Sequence, residues 1–378
     1  MTNVRVFVGA AAIAAAATAG WATVHIARSL VTPAGRHRER IRILASDAGT
    51  VTLSASRDTL APGVFSLYWG NRTGHARIGR VLSSESEART VIRRVEAIYA
   101  GRLEPGTSGY WSGYVYPSPG AAGLPYEDVT LPGPAPAWLV PGTLQRSWVI
   151  HIHGLGGRRT TGLRTAPFFH AQGLTQLLIS FRGDGDAPPT ADGKHHLGVS
   201  ELADLEAALA FAAGRGAASI ILSGWSMGAV MALAAAHTSE HRNLITGLIL
   251  TAPVLDWNRT LISNLASARL PSVLAHGVSR ILGSPLHRFT GSPDCISRLT
   301  CGPWSLPGVA PPVPVLILHG DGDARTPIRI SEDFAGRFPE LVRLVRFPAC
   351  RHTQEWNSWP ALWEDSVAGW LRGLTPSR

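Results

Sequence analysis

The sequence predicts an α/β fold: a mostly parallel central sheet flanked by helices, preceded by a small β-rich region. Three observations carry that prediction. From residue 147 onward, short apolar runs alternate with Ala- and Leu-rich helical stretches in the order strand, helix, strand, helix. Several of those runs end in glycine turns, at Gly154, Gly183 and Gly320, and ligands of such sheets gather at the strands' carboxyl ends. In addition, the β-branched run at Ser219–Trp225 leads into a turn with Ser226 between Gly224 and Gly228, and then directly into the small-residue helix from Ala229 to His237.

With 378 residues the chain has room for one large α/β domain and a smaller unit. An apolar content of 45% with 16% charged residues fits a well-cored globular chain and excludes a disordered one. The formal net charge is +9, and among the 35 basic residues only Lys194 is a lysine. Such a charge favours anionic lipid surfaces. Nucleic acid is not an expected partner, since zinc-ligand spacing, aromatic-basic interleaving and a recognition-helix pattern are missing. The cysteines, Cys295, Cys301 and Cys350, form no disulfide framework and no Cys-x-x-Cys metal pair. Cys295 and Cys301 are close enough to bridge in an oxidising compartment, and equally suit two free thiols.

Residues 1–32 read as a membrane anchor or signal segment. From Val6 to Ile26 no acidic or basic side chain occurs apart from His25, a length that crosses a hydrocarbon core at helical rise. Its alanines make insertion marginal, and Ala17-Thr18-Ala19 offers a signal-peptidase site, so a cleaved signal with secretion is one alternative and a buried or peripheral alanine helix the other. Arg5 stands before the stretch, whereas Arg28, Arg36, Arg38, Arg40 and Arg42 follow it, which leans the body toward the cytoplasm.

Residues 33–125 read as a small β-rich accessory region and linker. Thr50–Leu53, Phe65–Trp69, Ala76–Leu82 and Val91–Tyr99 are β-rich runs between Gly, Pro and Asn turns, as in an antiparallel unit. The aromatic cluster at Gly109–Tyr116 suits this unit's core or its contact with the following domain, with a substrate entrance as the alternative. The Pro- and Gly-rich stretch from Pro117 to Pro125 is the expected linker.

Residues 126–378 read as the catalytic domain. Tyr126 to Val140 gives two extended segments split by Pro132-Gly133-Pro134, an antiparallel start. The apolar strand Ser147–His153 runs into Gly154-Leu155-Gly156-Gly157, which lacks the third glycine of a dinucleotide fingerprint and the lysine of a P-loop. Its alternative use is to offer a backbone N–H to an oxyanion, from Leu155, with Met227 as the second donor. Thr175–Phe181 is a further strand. Ser200 then caps a helix with Leu202, Leu205, Leu209 and Ala212 on one face. Leu244–Ala252 and Val313–Leu318 are two more buried strands, and the irregular stretch between them, about 256–312, is the expected lid.

The turn at Ser226 has the strand-turn-helix context of a nucleophile elbow. Side chains at positions 224 and 228 would collide with the neighbouring strand and helix, so Gly224 and Gly228 are required there. An elbow serine needs a base and an acid, in the chain order Ser, Asp or Glu, His. Of the 14 histidines only His352 lies beyond Asp323, which makes it the base. Asp323 is the expected acid, with Asp256 as its rival and Asp321 as its neighbour. His153 and His319 open glycine turns and serve as hydrogen-bonding supports, His153 together with Gly154. Cys350, near His352, has no elbow.

His153-Gly154-Leu155-Gly156-Gly157, Phe181-Arg182-Gly183, Gly224-Trp225-Ser226-Met227-Gly228, His319-Gly320-Asp321-Gly322-Asp323 and His352 together resemble the α/β-hydrolase superfamily of serine hydrolases. The detail of Gly-Trp-Ser-Met-Gly, with Trp356-Asn357 after His352, looks like its dienelactone-hydrolase and prolyl-oligopeptidase-like branch. The resemblance implies a Ser226, Asp323 and His352 triad, no metal and no organic cofactor. The region before Tyr126 is too short for the propeller of the oligopeptidases. The leading expectation is cleavage of a small-molecule carboxylic ester or thioester through an acyl-serine intermediate. A peptidase or acyl-aminoacyl hydrolase and an acyltransferase are the alternatives, and a membrane-tethered binding module is the reading from another class.

Overall fold

A computed structural model describes residues 18–33, 38–291 and 309–374. Residues 6–17 of the expected span, Arg36, Cys295 and Cys301 lie outside the described residues.

Residues 18–31 form helix α1. Ala27 and Val31, four apart, are buried in the main core, with Ile26 and Leu30 packed against it. The Val31 carbonyl accepts from the His195 N–H at 2.7 Å, and Arg28 Nε donates to the Phe289 carbonyl at 2.9 Å. Among the described residues no helix is long and apolar enough to cross a membrane. In the described part of the expected span, residues 18–26, Ile26 packs against the main core and Trp21 is exposed.

Six antiparallel strands follow: β1 (Ile41–Asp47), β2 (Thr50–Ser54), β3 (Phe65–Trp69), β4 (Gly74–Glu85), β5 (Thr90–Ala100) and β6 (Ser108–Ser112). They close into a barrel in the order β1-β2-β5-β4-β3-β6, so no edge is left unpaired. Alternate residues Ile41, Ile43, Val51, Leu53, Leu67, Ala76, Ile78 and Val91 fill it. Arg93 is buried, donating to the carbonyls of Gly79, Thr59, Ala61 and Gly63 and lying over the Trp111 ring. Four acceptors offset the desolvation of its charge, while burial pulls its guanidinium down to about 10.

The second sheet is built from β7 (Glu127–Leu131), β8 (Ala135–Val140), β9 (Leu144–Ile152), β10 (Leu174–Ile179), β11 (Ser219–Trp225), β12 (Ile245–Thr251), β13 (Val315–Gly320) and β14 (Val342–Phe347). Its order is β14-β13-β12-β11-β9-β10-β8-β7; only the pairings of β7 with β8 and β8 with β10 are antiparallel. Period-2 alternation sends Ile150, Ile220, Leu222, Leu248, Leu250 and Ile317 to one core, and Val149, Ile221, Ile249, Leu316 and Leu318 to the other. Both faces are therefore apolar, as a parallel sheet covered on two sides requires. Each such side chain contributes about 1.5–3 kcal/mol of burial.

The helices are α2 (Ala166–Ala171), α3 (Leu202–Gly214), α4 (Met227–Thr238), α5 (Trp257–Ser267), α6 (Ser272–Leu282), α7 (Ile328–Arg337), α8 (Glu355–Ser358) and α9 (Pro360–Leu374). Helix α4, rich in alanine, is buried through Met227–Ala236. Contrary to expectation, Glu201 is the residue before α3 and gives it no side-chain cap; the Ser200 hydroxyl instead meets His196 Nδ1. In the segment expected as a lid, Trp257, Leu261 and Leu265 of α5 and Ala275, Val278 and Leu282 of α6 join the main core.

Candidate active site

The parallel strands carry their carboxyl ends to one edge, and three turns meet there. The first follows β11. Ser226 takes φ 54° and ψ −112°, a left-handed conformation that a side-chain-bearing residue adopts only under constraint. The constraint is visible: Ser226 N–H donates to the Thr251 carbonyl at 2.9 Å, and the Ser226 carbonyl accepts from Val254 and Ala229 at 3.1 Å. A Cβ on Gly224 would sit 2.6 Å from Ala229 Cα, and one on Gly228 would sit 2.2 Å from the Ile152 carbonyl oxygen. Helix and strand thus approach the elbow too closely for any side chain at either position.

The second turn follows β13 and the third follows β14. His352 Nδ1 lies 2.7 Å from Asp323 Oδ2, and its Nε2 lies 3.0 Å from Ser226 Oγ. Asp323 accepts further from the Arg325 N–H at 2.7 Å, the Thr326 N–H at 3.0 Å and the Thr326 hydroxyl at 2.6 Å. Burial would raise its carboxyl, but hydrogen bonds from His319, His352 and Thr326 and the charge of His352 hold it well below the usual carboxylate range. The aspartate is therefore an anion aimed at an imidazole.

Other candidates find their places. Leu155 lies in the loop after β9, more than a third exposed, and Met227 opens helix α4. Gly154 lies against the elbow, for a Cβ there would stand 3.0 Å from Ser226 Cβ and 2.9 Å from the Trp225 carbonyl oxygen. His153 Nε2 meets Asp184 at 3.0 Å and its ring stacks on Phe181. His319 bonds Ser331 through Nδ1 and the Thr326 carbonyl through Nε2. Asp256 caps α5, accepting from the Arg259 N–H at 2.9 Å, so that carboxylate is engaged elsewhere. Arg158 pairs with Asp186, and Arg159 lies over the Trp138 ring. Burial pushes the Cys350 thiol up, which removes it as a nucleophile. Among the described residues no His, Cys, Asp and Glu group has the arrangement of a metal site.

Three residues support the histidine loop: Arg164 and Glu355, which sequence reading passed over, and Asn357, which it noted only as part of the resemblance. Arg164, buried, donates through Nη1 to the Thr353 carbonyl and to Asn357 Oδ1, both at 2.7 Å, and lies 4.4 Å from the Trp225 ring centre. Burial pulls its guanidinium down to about 10, still cationic at neutral pH. Ala349 and Thr353, on either side of His352, have φ 52° and 57°, so His352 sits between two residues of strained backbone, the second of which Arg164 holds through its carbonyl. Asn357 Nδ2 donates to the carbonyls of Val64 and Gly113, tying the loop to the chain around the barrel. Glu355 accepts from the Gly320 N–H at 3.1 Å; burial and the charge of Asp323 raise its carboxyl well above the ordinary value. None of these has a local signal, since the Arg164 contacts span 189 and 193 residues.

Comparison with known proteins adds the family. Residues 144–298 match the family model described as serine aminopeptidase, S33, and residues 42–112 match a domain of unknown function. Residues 144–298 thus have the sequence of an α/β-hydrolase-superfamily serine hydrolase. Among solved structures, this hydrolase is similar to the Pyrococcus furiosus esterase Pf2001, at 19% identity and TM-score 0.51, over 68% of this chain and 95% of that one. A second crystal form of that esterase gives 20% identity and TM-score 0.50, over 68% and 93%. A membrane phospholipase A described as a bacterial virulence factor follows at 17% identity and TM-score 0.49, over 68% and 89%. Among curated proteins none matches. The superfamily is thus the expected one; the branch read from Gly-Trp-Ser-Met-Gly is finer than these matches.

Proposed function

We propose that this hydrolase cleaves carboxylic esters or thioesters through an acyl-Ser226 intermediate. The observation that carries the reading is the contact chain from Ser226 Oγ to His352 Nε2, and from His352 Nδ1 to Asp323 Oδ2, at 3.0 and 2.7 Å. Oγ bonds to the acyl carbon as Nε2 takes its proton, and anionic Asp323 stabilises the imidazolium. The carbonyl oxygen becomes an oxyanion, for which the N–H groups of Leu155 and Met227 are the proposed donors; each such donor contributes about 10²–10³ in kcat. As the intermediate collapses, the bond to the leaving oxygen or sulfur breaks and His352 returns the proton to that atom. Water then enters by the same route and frees the acid.

The stretch 256–312 is proposed as a lid, supported by the way α5 and α6 lay their apolar sides on the core while Val273 and Phe289 stay exposed. The aminopeptidase description of the matched model favours a second reading, peptide-bond cleavage by the same residues. A panel of p-nitrophenyl esters against aminoacyl anilides, run on the full chain, separates the two. Turnover of the esters with Ser226→Ala inactive is expected; preference for the anilides would replace the ester reading with the peptide one.

A further inference from the structure

A cavity of about 250 Å³ lies between the barrel and the histidine loop. Arg57 and Asp58, from the turn after β2, form one wall; Arg325, after β13, and Arg351, His352 and Gln354, after β14, form the others. Three arginines and one aspartate thus line the space, and Asp58 is already paired with Arg351. Some arginines elsewhere are paired: Arg77 with Glu96, Arg182 with Asp204, and Arg346 with Asp321 and Glu332. Among the described residues, the side chains of Arg57 and Arg325 have no ion-pair or hydrogen-bond partner. Burial lowers the Arg351 guanidinium, and the charge of Arg57 lowers it further, as expected of cations held near one another without enough anion between them.

The position is as informative as the charge. His352 borders this cavity and also contacts Ser226, so the cavity opens beside the group that returns a proton to the leaving atom. Its volume is below the 300–1,000 Å³ or so of a pocket for a drug-sized ligand, which suits a compact polar head and not a long acyl chain. Guanidinium groups match carboxylate and phosphate oxygens by paired N–H donors.

We propose that this cavity is an oxyanion-binding subsite for the leaving group, so that the preferred substrates are esters whose alcohol portion carries a phosphate or carboxylate, and that the barrel completes the site by supplying Arg57. The proposal rests on the reading of Ser226, Asp323 and His352 as a hydrolytic triad for its leaving-group side, but binding at the cavity is measurable without turnover.

The test is calorimetric titration of the full-length Ser226→Ala chain with phenyl phosphate, benzoate and benzyl alcohol. One-to-one binding of phenyl phosphate or benzoate, with benzyl alcohol silent, is expected, and whichever anion binds tighter names the charged group. Arg57→Gln, on an exposed side chain, weakens that binding by about tenfold or more; Arg325→Gln does the same. Absence of anion binding, or equal affinity in both variants, overturns the proposal. In the Ser226-containing chain, two aryl esters with the same acyl group are compared, one bearing a phosphate on its leaving group. Arg57→Gln lowers kcat/KM for the phosphate-bearing ester about tenfold more than for the neutral one, through KM, and an equal fall in both would also overturn it. Anion binding by a chain that hydrolyses no ester removes the ester reading alone; ester hydrolysis without anion binding removes the subsite alone.

Discussion

The barrel and the parallel sheet satisfy the same backbone requirement in different ways, and the difference decides where chemistry sits. The barrel closes on itself, with Ile41 opposite Gly109 completing the ring, and its buried cation Arg93 is saturated by four carbonyls. Its interior is finished. The parallel sheet carries the ends of β9, β11, β12, β13 and β14 to one edge, where the turns after β11, β13 and β14 bring Ser226, Asp323 and His352 together. A pair of buried arginines makes the contrast concrete: Arg93 stabilises one unit from within, whereas Arg164 holds the loop of His352 from another part of the chain.

That comparison predicts a graded set of losses. Asp323→Asn keeps the shape of the site but leaves His352 with the wrong hydrogen-bond partner, and kcat should fall by about 10⁴-fold in steady-state assays. Arg164→Met leaves the Thr353 carbonyl and Asn357 Oδ1 without their donor in a buried place. It should cost about 2–5 kcal/mol in denaturant unfolding and lower kcat as His352 loses its support. Asn357→Ala removes the ties to Val64 and Gly113 and should cost about 1–3 kcal/mol, with a smaller effect on kcat. Equal stability of the Arg164 variant and the parent would show that the clamp is not what restrains the loop.

Glu355 sharpens the comparison through pH. Its carboxyl is raised in the folded state, so the folded chain holds a proton that the unfolded chain releases above about pH 4.3. That contribution to stability is present below this pH and is lost as pH rises toward the folded value. Glu355→Gln, which still accepts from the Gly320 N–H, should flatten the decline in unfolding free energy over that range. Asp323 works in the opposite direction: its depressed carboxyl adds stability above the ordinary carboxylate range and loses it as pH falls. An unaltered pH profile in Glu355→Gln would mean that this carboxyl ionises normally.

Much of this could be read from residue order. The elbow was legible because sterics impose its spacing: the clashes foreseen at positions 224 and 228 occur, with Ala229 and with Ile152. The antiparallel start around Pro132-Gly133-Pro134 and the meeting of Ser226, Asp323 and His352 followed from period-2 runs and chain order. What escaped depends on contacts without local periodicity. Asn357 meets Val64 across 293 residues, and Arg351 meets Asp58 across the same separation. Hydropathy alone does not separate lipid from protein over residues 18–26, where Ile26 packs against the main core and Trp21 stays exposed.

The account depends most on Ser226 being a nucleophile activated by His352. Labelling of the full chain with a tagged fluorophosphonate, followed on a gel and by mapping the modified peptide, tests that directly. Rapid labelling confined to Ser226, abolished in Ser226→Ala and slowed by orders of magnitude in His352→Ala, is the predicted result. Equal labelling of Ser226→Ala, or none in the parent protein, would contradict it.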